Sequence, residues 1–128
     1  MAHEITAPLF GHFIAGPDMV QKLSDVTATT RQVLTLARGA RWVLVMIYQK
    51  AFTAGTGTGL TQYRIEMASD AAFTADVVAL EPAQVERADE RTAFVIGFAP
   101  LKALRFVGIT RVANGTDAAT YDAIVAGA

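Results

Sequence analysis

The stretch "RWVLVMIYQK", residues 41–50, holds seven large apolar residues in a row, Trp42 to Tyr48, between Arg41 and Gln49-Lys50. A helix crossing a bilayer needs about 20 such residues, so the run is too short to span a membrane. At a period of two, Val43, Val45 and Ile47 share one face, and Trp42, Leu44, Met46 and Tyr48 share the other. Both faces are apolar. The stretch is therefore predicted to be a central strand, either covered on both sides or standing at an interface.

Other segments share the period. "LTQYRIEMAS" sets Tyr63, Ile65 and Met67 against Gln62, Arg64 and Glu66, which predicts a half-buried strand with a wet face. Arg64 and Glu66 lie two apart on that face and could pair, though an exposed pair contributes little. "RQVLTLAR" alternates partly, and "GARW" supplies a tight turn after it. "DVVALEP" reads as a short strand closed by Pro82, and "RTAFVIGFAP" as an apolar strand stopped by Pro100. "KALRFVGITRVA" alternates, Asn114-Gly115 favours a turn with positive φ, and Tyr121 to Val125 make a last strand. The charged "AQVERADERT" reads as a solvated loop. Seven or eight strands at this spacing, with little helix and no internal repeat, predict an all-β, jelly-roll-like β-sandwich over residues 26–128.

Residues 1–25 are unlike the rest. Pro8, Pro17, Gly11 and Gly16 oppose a regular element, yet Leu9, Phe10, Phe13 and Ile14 are large and apolar. They are expected to form an extended N-terminal arm that packs on the sandwich or on another chain. "DMVQKLSDV" could add a helical turn or two after Asp18, although it is short for a helix.

Composition removes several function classes. The 128 residues contain no cysteine, which excludes disulfides, thiolate metal sites and cysteine nucleophiles. Eleven basic against twelve acidic residues leave a net charge of -1 with no basic stripe, so nucleic acid is not an expected partner. With 52% apolar and only 18% charged residues, the chain is apolar for a free monomer, a hint that a partner covers some surface. The start has no basic segment followed by an apolar one, hence no secretory signal is expected.

The run "AGTGTGL" places Gly55, Gly57 and Gly59 at alternate positions. A phosphate loop sets its glycines between a strand and a helix and usually ends in Lys-Ser/Thr. Here a strand follows and Lys50 precedes the run. The glycines are expected to serve geometry and reach in a long hairpin loop, with contact to a partner as a second use. His3 and His12, the two histidines, both lie in the arm, and nothing converges on them as a metal site needs. Ser24 and Ser69 sit in no nucleophile pattern, and a solvated face explains the carboxylates. No catalytic, cofactor-binding or metal-binding residue is predicted, and the chain is not expected to be an enzyme. Trp42, Tyr48, Tyr63 and Tyr121 could build a sugar platform. Trp42 and Tyr48, however, stand about 20 Å apart along one strand, too far to stack on one ring.

"VTATTRQVLTL", "RWVLVMIYQKAFTAG", "GTGLTQYRIEMASDAAFT", "FVIGFAP" and "LRFVGITRVANGT" follow one another in an order that resembles the capsid cement, or decoration, proteins of tailed phages. The likeness runs from about residue 26 to the C-terminus and consists of strands and turns. "LFGHFIAGPD" and "VERADERT" depart from it. The resemblance implies a small jelly roll without cofactor or turnover, made in the host cytoplasm. Such a protein would bind the outer capsid surface of the virion, join neighbouring major capsid protein subunits, and self-associate as a dimer or trimer. Leu9, Phe10, Phe13 and Ile14 in the arm, and Gly55, Gly57 and Gly59 in the loop, are the interface candidates. A carbohydrate- or ligand-binding β-sandwich is the alternative reading.

Overall fold

The computed structural model describes residues 19–128. Nine strands follow in chain order: β1 (Val20–Val26), β2 (Gln32–Ala40), β3 (Trp42–Thr53), β4 (Thr61–Ala68), β5 (Val78–Ala79), β6 (Ala83–Val85), β7 (Arg91–Phe98), β8 (Leu104–Arg111) and β9 (Ala118–Gly127). One sheet has the order β1-β9-β3-β7. The other has the order β2-β8-β4-β5, with β6 also on β4. The pairing is nested: β1 with β9, β2 with β8, β3 with β7, and β4 with β5 and β6, all antiparallel. This nested wrapping of a long hairpin into two sheets is the jelly-roll arrangement. The all-β expectation therefore holds, with nine strands in place of seven or eight.

The core lies between the sheets and follows the alternation. Val43, Val45 and Ile47 of β3 and Tyr121, Ala123 and Val125 of β9 face Tyr63, Ile65 and Met67 of β4 and Val107 and Ile109 of β8, all buried. Packing of these side chains, without any covalent link, holds the layers together. One end of the core is polar. Tyr63 Oη donates to Gln49 Oε1 at 2.8 Å, and Gln49 Nε2 donates to the carbonyls of Glu86 (3.1 Å) and Ala88 (2.8 Å). The Tyr121 ring meets Tyr63 edge-on at 4.9 Å. Burial pushes the Tyr121 hydroxyl up to about 12, against the opposing pull of the nearby Arg111 charge.

Several expectations need correction. The segment expected to add a helical turn after Asp18 is instead strand β1, whose Val20 pairs with Ala126 and whose Leu23 pairs with Ala123. The sheet thus includes residues 20–25, which the sequence reading had given to the arm. A strand wins because β9 offers a complete ladder of hydrogen-bonding groups to a segment too short to be stable as a helix. The turn at "GARW" does not join paired strands. At Arg41 the chain switches sheets, held there by Arg41 N–H and Trp42 N–H on the Ala128 carbonyl (3.0 and 3.2 Å) and by Ala99 N–H on the Arg41 carbonyl (2.6 Å). The charged segment is not simply a solvated loop. Ala83 and Val85 alternate inward and are buried, making β6 on the edge of β4. Glu66 pairs with Arg31 at 3.2 Å, not with Arg64, and is itself buried.

The turn after β4 is held by its own side chains. Asp70 accepts from the N–H groups of Thr74 (2.9 Å) and Ala75 (3.0 Å) and so shapes a turn. That turn presents Phe73, at φ 55°, over the outside of the second sheet, where Arg31 stacks 4.4 Å from its ring. Gly108 lies beneath, and a Cβ there would meet the Phe73 ring at 2.8 Å.

Candidate functional site

The outer face of the β1-β9-β3-β7 sheet is built by the second parity of the strand that dominates the sequence. Register places Trp42 opposite Phe98, Leu44 between Ile96 and Ala126, and Met46 between Phe94 and Ile124. Across β7, β3 and β9 these rows contain no polar or charged side chain, and on the edge strand β1 Lys22 flanks Ile124. Phe94, Ile96 and Phe98 are 67%, 59% and 63% exposed, an unusual state for three large apolar groups on one strand. They stand as a ridge on β7, the edge strand, whose other side has no sheet partner. Leu44 and Met46 beside them are half-buried, and Ala126 one strand further is buried. The surface therefore steps down from ridge to trough.

The apolar surface turns the corner after β7. Trp42, Ile96, Phe98 and Pro100 line an open groove of about 410 Å³ with Arg41 at its edge, and a second groove of about 310 Å³ lies between Val77, Val78 and Leu101. Leu101 is 92% exposed. Arg41 Nη1 donates to the Pro100 carbonyl at 2.9 Å and fixes this corner.

Charge is confined to the rim. At the far end of the face, Lys50 reaches Asp122 (3.0 Å) and Asp25, and Asp25 N–H donates to Asp122 Oδ1 at 2.8 Å. Breaks in register at Lys50 and between Leu23 and Val26 bring the three together. The Asp25 N–H, first, and the Lys50 ammonium hold the Asp122 carboxyl below the usual carboxylate range. The result is an aromatic and aliphatic centre with a polar edge, the anatomy of a protein-binding surface.

The glycine run occupies another place. It crosses from β3 in one sheet to β4 in the other, so it is not a hairpin loop. Gly55 N–H (2.6 Å) and Gly57 N–H (3.2 Å) donate to Asp117 Oδ1, Thr56 N–H donates to Thr116 Oγ1 (2.9 Å), and Thr58 N–H donates to Asn114 Oδ1 (3.0 Å). Arg87 completes the knot with its guanidinium on Asp117 at 2.8 Å. The amides that a phosphate would need are already taken, those of Gly55 and Gly57 by a carboxylate and those of Thr56 and Thr58 by the Thr116 hydroxyl and the Asn114 amide oxygen. Asn114-Gly115 forms the expected turn, with Gly115 at φ 58°.

The remaining candidates are dispersed. Leu9, Phe10, Phe13 and Ile14, with His3 and His12, lie outside the described residues. Among the described residues no group of three or more His, Cys, Asp or Glu could hold a metal ion. Asp76 pairs with Lys102 (2.7 Å) and accepts from Ser69 Oγ (2.9 Å), and Glu86 pairs with Arg91 (3.1 Å). Tyr63 and Tyr121 are wholly buried, while Trp42 and Tyr48 sit at opposite ends of the apolar face, with only Leu44 and Met46 between them on that side. Sequence reasoning missed Phe94, Ile96, Phe98 and Leu101. The available signal was that both parities of "AFVIGF" are apolar. Its position at a sheet edge was not visible.

No protein-family model and no curated protein matches the chain. Among solved structures it is similar to the SPBc2 prophage-derived protein YomS. That match has 12% identity, covers 84% of this chain and 93% of that one, and has a TM-score of 0.43. It is also similar to a chain described as "Bacillus endospore appendages form a novel family of disulfide-linked pili", with 20% identity, 84% and 86% coverage and a TM-score of 0.37. These 128 residues have no cysteine with which to make such links. Likenesses at these scores carry no functional argument.

Proposed function

We propose that the protein is a structural, non-catalytic subunit of a phage or phage-like particle that binds the outer capsid surface and cements neighbouring major capsid subunits. The observation that carries a binding role is the apolar outer face of β9, β3 and β7. Apolar area left in water forgoes roughly 25 cal/mol per Å² that contact with a protein would recover. The capsid as partner is supported by the resemblance in the order of strands and turns from "VTATT" to "VANGT". In this reading the segment before β1 is the arm, and Leu9, Phe10, Phe13 and Ile14 grip the capsid. The Gly55, Gly57 and Gly59 loop, stiffened by Asp117 and Asn114, makes a second contact. Self-association gives each unit more than one grip, and many modest contacts then add by avidity. The work is done at the outside of the virion, after synthesis in the host cytoplasm, and requires no cofactor, nucleic acid or membrane.

The test is to add purified protein to undecorated heads and image them. Regular density on the outer surface, at fixed stoichiometry to the major capsid protein, is the expected outcome. Bare heads at saturating protein would overturn the proposal. Removing residues 1–16 should lower occupancy, and unchanged occupancy would eliminate the arm as a contact.

A further inference from the structure

We infer that the apolar outer face of β9, β3 and β7 is the self-association surface, and that its occupant is a second copy of this chain related by a two-fold axis. The inference supplies the bivalence that the capsid reading uses, but it stands on the face alone.

Three observations select a second copy. The first is charge. A two-fold axis brings central residues close to their own copies, so a charged centre would repel itself. The central rows, Leu44 with Ile96 and Ala126, and Met46 with Phe94 and Ile124, carry no charge. Lys50, Asp122, Asp25 and Arg41 lie at the ends, and Lys22, beside Ile124, lies on the edge strand β1 at the side. The second is relief. The exposed ridge of Phe94, Ile96 and Phe98 runs beside a trough floored by half-buried Leu44 and Met46 and buried Ala126, with the more exposed Ile124 on its far side. Rotation by half a turn sets the ridge of each copy into the trough of the other, which is the self-complementarity an isologous contact requires. The third is area. Six residues of rise by three strands is roughly 20 by 14 Å. With the Pro100–Leu101 corner this gives about 400 Å² per copy, or about 800 Å² in all, the size of a weak or transient contact that dissociates on dilution. Because the contact is isologous, it closes on itself and yields a dimer, not a filament.

Trp42 is the sole tryptophan and lies at one end of the face, so its emission reports on what covers it. Sedimentation and light scattering of the full chain at tens of micromolar should give twice 13.6 kDa, and Trp42 emission should shift to the red on dilution through the dissociation range. Ile96→Asp should weaken the dimer at least about 30-fold while far-UV circular dichroism stays unchanged. Phe94→Ser serves if the first variant misfolds. Val33→Asp, on the exposed surface of the other sheet, should leave the mass at twice the monomer. A monomeric full chain, a trimer, or a dimer untouched by both face variants would overturn the inference. A dimer that fails to bind heads would instead overturn the capsid reading and leave this one standing.

Discussion

A methyl group on Gly57 would stand 2.2 Å from both the Asn114 carbonyl oxygen and Asp117 Oδ2, whereas one on Gly59 would meet nothing within 4 Å. The two alternate glycines therefore do different work. Gly57→Ala forces the two loops apart and should cost about 1–3 kcal/mol, as overpacking does. Gly59→Ala should cost about 1–2 kcal/mol through its φ of 78° alone. Urea denaturation of both variants, with Thr58→Ala as a neighbouring control, would check this. An Ala at 57 as stable as the wild type would show that the knot is loose. Asp117 makes a pH prediction. Partial desolvation pushes its carboxyl up, but the Gly55 N–H, the Arg87 guanidinium and the Gly57 N–H outweigh that and hold it below its ordinary value. A carboxyl depressed in the folded state adds stability that is fully present above its unfolded pKa and is lost as pH falls through the folded one. Stability should thus decline from about pH 4 downward. Asp117→Asn should be less stable than wild type at pH 7, with the gap closing in acid. A constant gap across pH would remove Asp117 from the acid limb.

Among the elements, β1 and β7 have the same rank and opposite characters. Both are edges of the same sheet. β1 half-buries Leu23 against the core, with Met19 buried just before it, while β7 turns Phe94, Ile96 and Phe98 outward. Deleting residues 1–16 leaves Met19 and β1 in place and should shift the melting midpoint by only a few degrees, on the order of 1 kcal/mol or less. Deleting through Val26 strips the edge of β9 and the ion group of Asp25, Lys50 and Asp122. That chain should melt far lower or fail to fold. Equal melting of the two truncations, followed by circular dichroism, would mean that β1 adds nothing to the sandwich. An exposed apolar edge strand invites association, which is why β7 dominates the proposed self-contact.

For the whole molecule, nested pairing makes the first and last strands neighbours. Val20 pairs with Ala126, so the outer ladder cannot close until nearly the full chain is present. Folds dominated by such distant pairings fold in milliseconds to seconds. Stopped-flow refolding followed by Trp42 should fall in that range, and microsecond refolding would contradict it. The same closure creates the functional geometry. Two sheets bury one parity of β3 completely and leave the other parity as a broad outward face. A jelly roll thereby presents a broad apolar surface on the outside of one sheet.

The alternation of Val43, Val45 and Ile47 and of Tyr63, Ile65 and Met67, the stop at Pro100 and the turn at Asn114-Gly115 were all legible in order along the chain. Side-chain period and backbone chirality act over a few residues and need no partner. Glycines 55 and 57 could be read as geometric, but not as seats for Asp117, which lies 60 residues away or more. Likewise Phe94, Ile96 and Phe98 could be read as strand residues, but not as exposed ones. Which strand becomes an edge, and which apolar parity is left without a cover, depends on how the sheets are ordered. That order is fixed by long-range pairing free energy distributed over the whole core, not by any local pattern. The amino-acid order thus determined the strands and their buried halves. Tertiary structure alone decided which remaining halves face outward.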